Sequence, residues 1–289
     1  MVIFDNQFIE LNSPLFYFFI ALLALIIGSL LNVIIYRLPI MLKQEQLADC
    51  ADLLNLPEVK DKNINLFMPR SFCPNCHKTI KAIHNIPIIS YLFLRGRCHS
   101  CRTSIPWRYP LIELSSMLLA SYASWHFGFN LSLVFALLFI WINICLIFID
   151  LDHQLLPDSL TLLLLWLGLI ANTQALFISL PNAVLSAAGA YLLLWLLIKT
   201  YYLITGKIGM GHGDFKLFAA FGAWFGWTAL PLILLFSSIT GTIIGLIYLN
   251  FKKQSKNTPI SFGPFLCLAG LITLFWGQKI LTWYLNYWH

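Results

Sequence analysis

The chain has 289 residues, 59% hydrophobic and only 10% charged, with a mean hydropathy of +0.79. A soluble domain is nearer a quarter charged, so the composition excludes one and reads as an integral membrane protein. The 18 basic residues outnumber the 12 acidic ones. Eleven of the basic residues fall between Arg37 and Arg108, which marks a polar segment on the cytoplasmic side of a bilayer. The expected environment is lipid, and no nucleic-acid partner is expected.

Residues 1–13 carry Asp5 and Glu10 but no basic residue. The apolar run Pro14–Tyr36 lacks a basic leader and a small-residue cleavage site, and it exceeds the ~7–15 residues of a signal-peptide core. It is expected to be a retained helix, N-terminus outside, anchored by Arg37-Leu38-Pro39. Segment 37–109 is the one stretch able to form a polar subdomain. Its Lys43–Lys62 part mixes charges with leucines, as a short surface helix does.

After Pro110 come apolar runs near the ~20 residues that span a hydrocarbon core. They lie at about 110–127, 131–150, 156–178, 181–204, 214–226, 228–250 and 260–286. With the first run this predicts about eight transmembrane helices, the one at 214–226 being short. Trp276, Trp283, Tyr284, Tyr287 and Trp288 suit an interfacial belt. Threading the runs alternately through a bilayer brings Asp150, the Lys199–Lys207 region before Asp214, and the Lys252, Lys253, Lys256 cluster to the basic loop's face. Both termini then fall on the opposite, periplasmic side. The chain divides into residues 1–36, a first helix; 37–109, a loop domain; and 110–289, a membrane domain.

Two constellations carry chemistry. The first is acidic: Asp150-Leu151-Asp152 closes one apolar run, and Asp214 opens another within Gly209-Met210-Gly211-His212-Gly213-Asp214-Phe215-Lys216. Ionisable residues at membrane helices are costly and need a partner or a task. Two carboxyl groups sharing a site do not easily both ionise, so one can activate water while the other donates a proton. That is the equipment of an intramembrane aspartyl protease. Gly211 and Gly213 allow close approach or a positive φ. Asp150 and Asp152 lie about 200° apart on a helix, so one alone can face Asp214, and spacing does not choose between them. Interfacial snorkelling or an ion pathway would use the same residues. Asp158 reads as a cap for the helix it opens. Lys216 reads equally as an interfacial anchor or a neighbour of the carboxylates. His153 and His212 read as headgroup-facing, and no His-Glu-x-x-His zinc-hydrolase pattern exists.

The second constellation is Cys73-Pro74-Asn75-Cys76 with Cys98-His99-Ser100-Cys101. Two such pairs supply four thiolates for a tetrahedral, structural zinc with no open position. The 21 residues between them slightly exceed the usual ~15–20. His77 and His99 are adjacent but are not counted as ligands. Cys50, Cys145 and Cys267 read as isolated thiols. Gly28 and Asn32 on the first helix suit close packing and a bond across helices. No internal repeat is evident.

These blocks together resemble the type IV prepilin peptidases. The likeness runs through Gly28-Ser29-Leu30-Leu31-Asn32-Val33, Arg37-Leu38-Pro39, Pro69–Cys76, Asn85-Ile86-Pro87, Ser90-Tyr91, Arg95–Cys98, Arg108–Glu113, Ile149–Asp158 and Gly209–Lys216. Leu30 and His212 depart from it, each standing where the family tends to carry an aromatic. The resemblance implies an all-α polytopic protein with a zinc-ribbon-like cytoplasmic loop between helices one and two. It implies Asp150 and Asp214 as the catalytic pair, supported by Gly211, Gly213 and Lys216. It also implies prepilin and type II secretion pseudopilin substrates, cut at the cytoplasmic face of the inner membrane. S-adenosylmethionine would then methylate the new N-terminus. No residue pattern locates a methyl-donor site; segment 69–113 is the expected region. A peptidase lacking methyl transfer and an eight-helix transporter or scaffold are the competing readings. A transporter would place its polar groups near helix midpoints, whereas here they stand at helix ends.

Overall fold

A computed structural model describes residues 14–55, 64–206, 209–252 and 261–287. Asp5, Glu10, Lys60, Lys62, Lys207, Lys253, Lys256, Trp288 and both chain ends, on which parts of the topology reading rest, lie outside them. The described chain is almost wholly helical, with two isolated β-bridges and no strand among the described residues. It forms two compact units, residues 1–129 and 130–289.

The first unit is built on α1 (Pro14–Leu53) and α3 (Arg108–Phe127), which pack along each other. Small residues make the approach possible. A Cβ on Gly28 would stand 2.8 Å from the Glu113 Cα. Asn32 donates to the Tyr109 carbonyl at 3.2 Å, and the Ser116 hydroxyl donates to the Ala24 carbonyl at 2.7 Å. Close packing at Gly28 and a cross-helix bond from Asn32 are thus both present.

The expected end of α1 at Arg37-Leu38-Pro39 is not observed. The helix passes through Pro39 and continues to Leu53, 40 residues in all. Proline removes one helical hydrogen bond, but Met41–Ala48 (Met-Leu-Lys-Gln-Glu-Gln-Leu-Ala) are strong helix formers and carry the helix on. Between α1 and α3 lie a 3₁₀ turn (Ala82–Asn85), the one-turn α2 (Ile89–Phe93) and the cysteine segments.

The second unit contains α4 (Leu131–His153), α5 (Asp158–Thr173), α6 (Leu180–Thr205), α7 (His212–Phe225), α8 (Leu230–Lys252) and α9 (Gly263–Tyr287). These bounds lie within a few residues of the expected runs, except that α5 stops at Thr173. There the Asn172 side chain turns the chain by accepting from the Phe177 and Ile178 N–H groups, both at 3.1 Å.

The centre of the unit is α7. Every residue from Leu217 to Phe225 is buried, and α5, α6 and α9 pack around it. A helix apolar on all sides belongs inside other helices. That surround accounts for its 14 residues, about 21 Å of rise, being short of a full span. Gly168 leaves room for the fully buried Trp224, whose ring nitrogen donates to the Leu164 carbonyl at 2.8 Å. Gly222 allows contact with the α6 backbone at Ser186.

Five described helices (α1, α4, α6, α8 and α9) are long and apolar enough to cross a membrane. The protein is therefore a multi-pass membrane protein. Of the other three expected crossings, α5 and α7 are short, and α3 carries Arg108, Glu113 and four serines.

Trp224 fills the middle of this core. Truncating it (Trp224→Ala) should cost about 3–5 kcal/mol and lower the thermal midpoint in detergent. A variant as stable as the wild type would mean that α7 is not the packing centre.

Candidate functional site

The second unit gathers its acidic groups where three helix ends meet. The last turns of α4 place Asp150 inside, 5% exposed, while Asp152 lies at the surface. The choice that spacing left open is therefore made by burial. Asp214 stands in the first turn of α7 and is buried as well. The two carboxyl groups lie within electrostatic reach of each other, and both reach the buried Cys267 thiol.

Helix termini hold both side chains. Gly211 is the N-cap of α7 and Asp214 its third residue, and the Gly211 N–H donates back to the Asp214 carboxylate. This is the reciprocal half of a capping box, which also sets a negative group at the positive end of a helix. Asp150 accepts the N–H of Gly263, the first residue of α9. That N–H has no partner within its own helix. The Asp214 Oδ1 atom is buried and has no hydrogen-bond partner among the described residues. A buried carboxylate oxygen left without a partner is rare and needs a physical reason.

Gly213 acts by close approach, not by φ, and Gly211 shows neither. Gly211 has φ −74°, and neither Gly211 nor Gly213 is among the positive-φ residues. A Cβ on Gly213 would stand 2.7 Å from the Leu156 Cβ. Across the same leucine, a Cβ on Gly263 would lie 3.0 Å from Leu156 Cδ2 and 2.5 Å from Asp150 Oδ2. Leu156 is thus the shared wall between the starts of α7 and α9.

Lys216 points elsewhere. Its ammonium pairs with Asp158 at 2.6 Å, linking α7 to the first turn of α5. Both side chains are partly exposed (29% and 60%), so the pair contributes little stability. Asp158 is not the cap of α5: Pro157 holds that position, and Asp158 is the first helical residue. His153 and His212 are exposed, and His212 meets the Phe215 ring edge-on.

In the first unit Cys73, Cys76, Cys98 and Cys101 converge, their sulfurs all within 4.8 Å of one another. Cys73 and Cys101 are 3.7 Å apart. Four sulfurs at ~2.3 Å from a tetrahedral zinc would be separated by ~3.8 Å, so the cluster fits that ion. Hydrogen bonding from the Thr103 hydroxyl, then from its backbone N–H, brings the Cys101 thiol down to about 5. Cys76, despite a lowering backbone hydrogen bond at Lys78, is pushed up to about 11 by burial and the neighbouring thiols, so the metal itself must draw off part of the protons.

The two pairs are built alike. Cys73 N–H bonds Lys78 O and His77 N–H bonds Cys73 O; Cys98 N–H bonds Thr103 O and Arg102 N–H bonds Cys98 O. His77 and Arg102 both take positive φ, and bridges 72–79 and 97–104 close the two turns. This is a repeat of about eight residues, too short and too variable in side chains to show as a sequence repeat. His77 stacks on Phe72 and His99 on His84.

Residues 22–127 match the Bacterial Peptidase A24 N-terminal domain, and residues 137–246 match the Type IV leader peptidase family. A curated relative from Legionella pneumophila, named Prepilin leader peptidase/N-methyltransferase, is 60% identical, covering 96% of this chain and 98% of its own. The chain belongs to the type IV leader peptidase family. Relatives of the same name from Stutzerimonas stutzeri (47% identical, 97% of this chain and 98% of theirs) and Pseudomonas aeruginosa (48%, 92% of each) agree. No solved structure matches the chain.

The A24 N-terminal match contains all four cysteines, and the leader peptidase match contains both Asp150 and Asp214. Gly263 lies beyond that match and was not anticipated from the sequence. Its one signal is a Gly-Pro step opening an apolar run after the polar break at 252–259.

Replacing Cys101 (Cys101→Ser) should drop bound zinc from about one equivalent to near none by atomic emission of the purified protein. Unchanged zinc in this variant would overturn the four-thiolate site.

Proposed function

We propose that the chain removes the basic leader of type IV prepilins and related pseudopilins and then methylates the new N-terminus. The relatives that it matches over nearly its whole length are named for both activities. The observation that carries the hydrolytic half is the burial of Asp150 and Asp214 in one cluster, each accepting a helix-terminal N–H.

In this reading the two carboxyl groups share one proton. The ionised member takes a proton from the attacking water, and the protonated one polarises the scissile carbonyl and then protonates the leaving amine. Gly211 supplies the N–H that orients Asp214, and Gly213 lets Leu156 approach. Lys216, paired with Asp158, directs its charge toward α5 and away from the carboxyl pair. Leu156 and the helix starts screen the carboxyls from bulk water.

The domain reading follows: residues 1–36 as a first crossing, 37–109 as a cytoplasmic segment with a structural zinc, and 110–289 as the membrane peptidase. The basic bias of 37–108 supports a cytoplasmic active face in the inner membrane. The methyl donor is S-adenosylmethionine, which brings an activated methyl group on a sulfonium.

Cleavage of a purified prepilin, read by intact mass, tests this. Asp150→Asn and Asp214→Asn should each slow cleavage by about 10²–10⁴-fold, and the wild-type product should be heavier by one methyl group. Undiminished cutting by both variants would remove the carboxylate pair. Gly263→Ala pushes a methyl group against Asp150 Oδ2, and a displacement near 1 Å should lower cleavage by about 10²-fold. Methylation of a synthetic leader-free peptide should persist in that variant, and its loss would point to general misfolding instead.

A further inference from the structure

The first unit holds a third buried carboxylate, which the peptidase chemistry does not use. Among its described residues the acidic side chains are Glu45, Asp49, Asp52 and Glu113. The first three are exposed along the end of α1, whereas Glu113 is 8% exposed. Its Oε2 accepts the Ile88 N–H at 2.7 Å.

Glu113 forms no ion pair with a described residue. From α1, Gly28 packs against the Glu113 backbone, and the Asn32 amide one turn further on is committed to the Gly28 and Tyr109 carbonyls. From the 86–90 turn the partner is the Ile88 N–H, and the Ser90 hydroxyl there is committed elsewhere, donating to Ile83 O and accepting from the Ile86 N–H. On its own helix Ser116 donates to Ala24. The buried Arg37 guanidinium is held by the carbonyls of Asn65, Leu66 and Pro69. A buried carboxylate that lacks a cation is costly unless one arrives.

The backbone is also strained toward it. Ile88 has φ 58° and ψ −50°, and the Ile89 N–H returns to the Pro87 carbonyl, making a γ-turn of the rare positive-φ kind. A β-branched residue there is an outlier, and such strain gathers at functional sites. Its effect here is to aim the Ile88 N–H at Glu113.

Methyl transfer to an N-terminus needs such a group. The amine arrives as an ammonium and must lose a proton before it attacks. We infer that Glu113, braced by the Ile88 turn, receives the ammonium of the newly cut N-terminus and takes its proton. The freed nitrogen lone pair forms the N–C bond to the donor methyl. The C–S bond breaks and its electron pair returns to sulfur, which leaves as a neutral thioether. The methylated amine carries the positive charge, and the proton remains on Glu113. This inference rests on the methyltransferase half of the function proposed above.

Glu113→Gln tests it, because an amide oxygen still accepts from Ile88 while the charge is lost. The assay is methylation of a synthetic leader-free peptide by the full-length protein with S-adenosylmethionine, beside prepilin cleavage and zinc content. Methyl transfer near pH 7 should fall by about 10²-fold, with cleavage and zinc retained. The deficit should shrink as the pH passes the ~8 of an α-amino group, because the amine then arrives already neutral. Glu113→Asp, which keeps the charge, should recover at least about tenfold over Gln. Equal activity of Gln and wild type, a deficit independent of pH, or Asp no better than Gln overturns the inference. So does a parallel loss of cleavage or zinc, which would make Glu113 a brace alone. A wild type that leaves the peptide unmethylated would sink the methyltransferase reading itself.

Discussion

Leu156 can stand against the first turns of both α7 and α9 because each turn presents a glycine there. A side chain at Gly213 or Gly263 would lie within 3.0 Å of a Leu156 carbon. Much else in the acidic cluster depends on that close approach. It lets the α9 terminus come near enough for the Gly263 N–H to reach Asp150, and it leaves Asp214 on the adjoining helix start. The carboxylates are thus held by backbone N–H groups that belong to helix termini and would otherwise be orphaned.

This arrangement answers a difficulty set by the environment. A carboxyl group buried in an apolar helical protein must be hydrogen-bonded or be very costly. Lysine or arginine partners would satisfy it, but they would also hold the carboxylate permanently ionised. A backbone N–H at a helix start stabilises negative charge more gently, leaving room for a proton to be shared. Lys216 is the nearest basic residue in the chain to Asp214, and its ammonium is held 2.6 Å from Asp158. The pairing keeps a full positive charge directed toward α5.

Much of this was legible in the residues. Apolar run lengths located the helices, and the glycine-aspartate block and paired cysteines marked both clusters. What escaped is what depends on neighbours distant in sequence. Spacing left Asp150 and Asp152 equal and only the family resemblance favoured Asp150, the one that the fold buries, while Gly263 acquires its meaning from Leu156 and Asp150, more than a hundred residues away. The apolar run stops at Tyr36, but the helix formers after Pro39 carry the helix on to Leu53, beyond what hydropathy marks. Asp158 was likewise read as a cap by propensity, while a partner on α7 claimed its side chain.

The two units meet the demand for order by different means. In the second, the 217–225 part of α7 is apolar and buried throughout, so packing can define its position and carry the glycine-aspartate turn with it. Among its described residues the segment between α1 and α3 has no such core: Phe67, Ile83 and Phe93 are largely exposed. Its shape comes instead from discrete ties: four sulfurs in one cluster, Arg37 gripping three carbonyls, and Glu113 gripping one N–H. A structure held by few strong ties can place a polar group with little apolar mass around it. Each tie is then indispensable, so losing the metal should loosen the turn that Glu113 braces long before it disturbs α7.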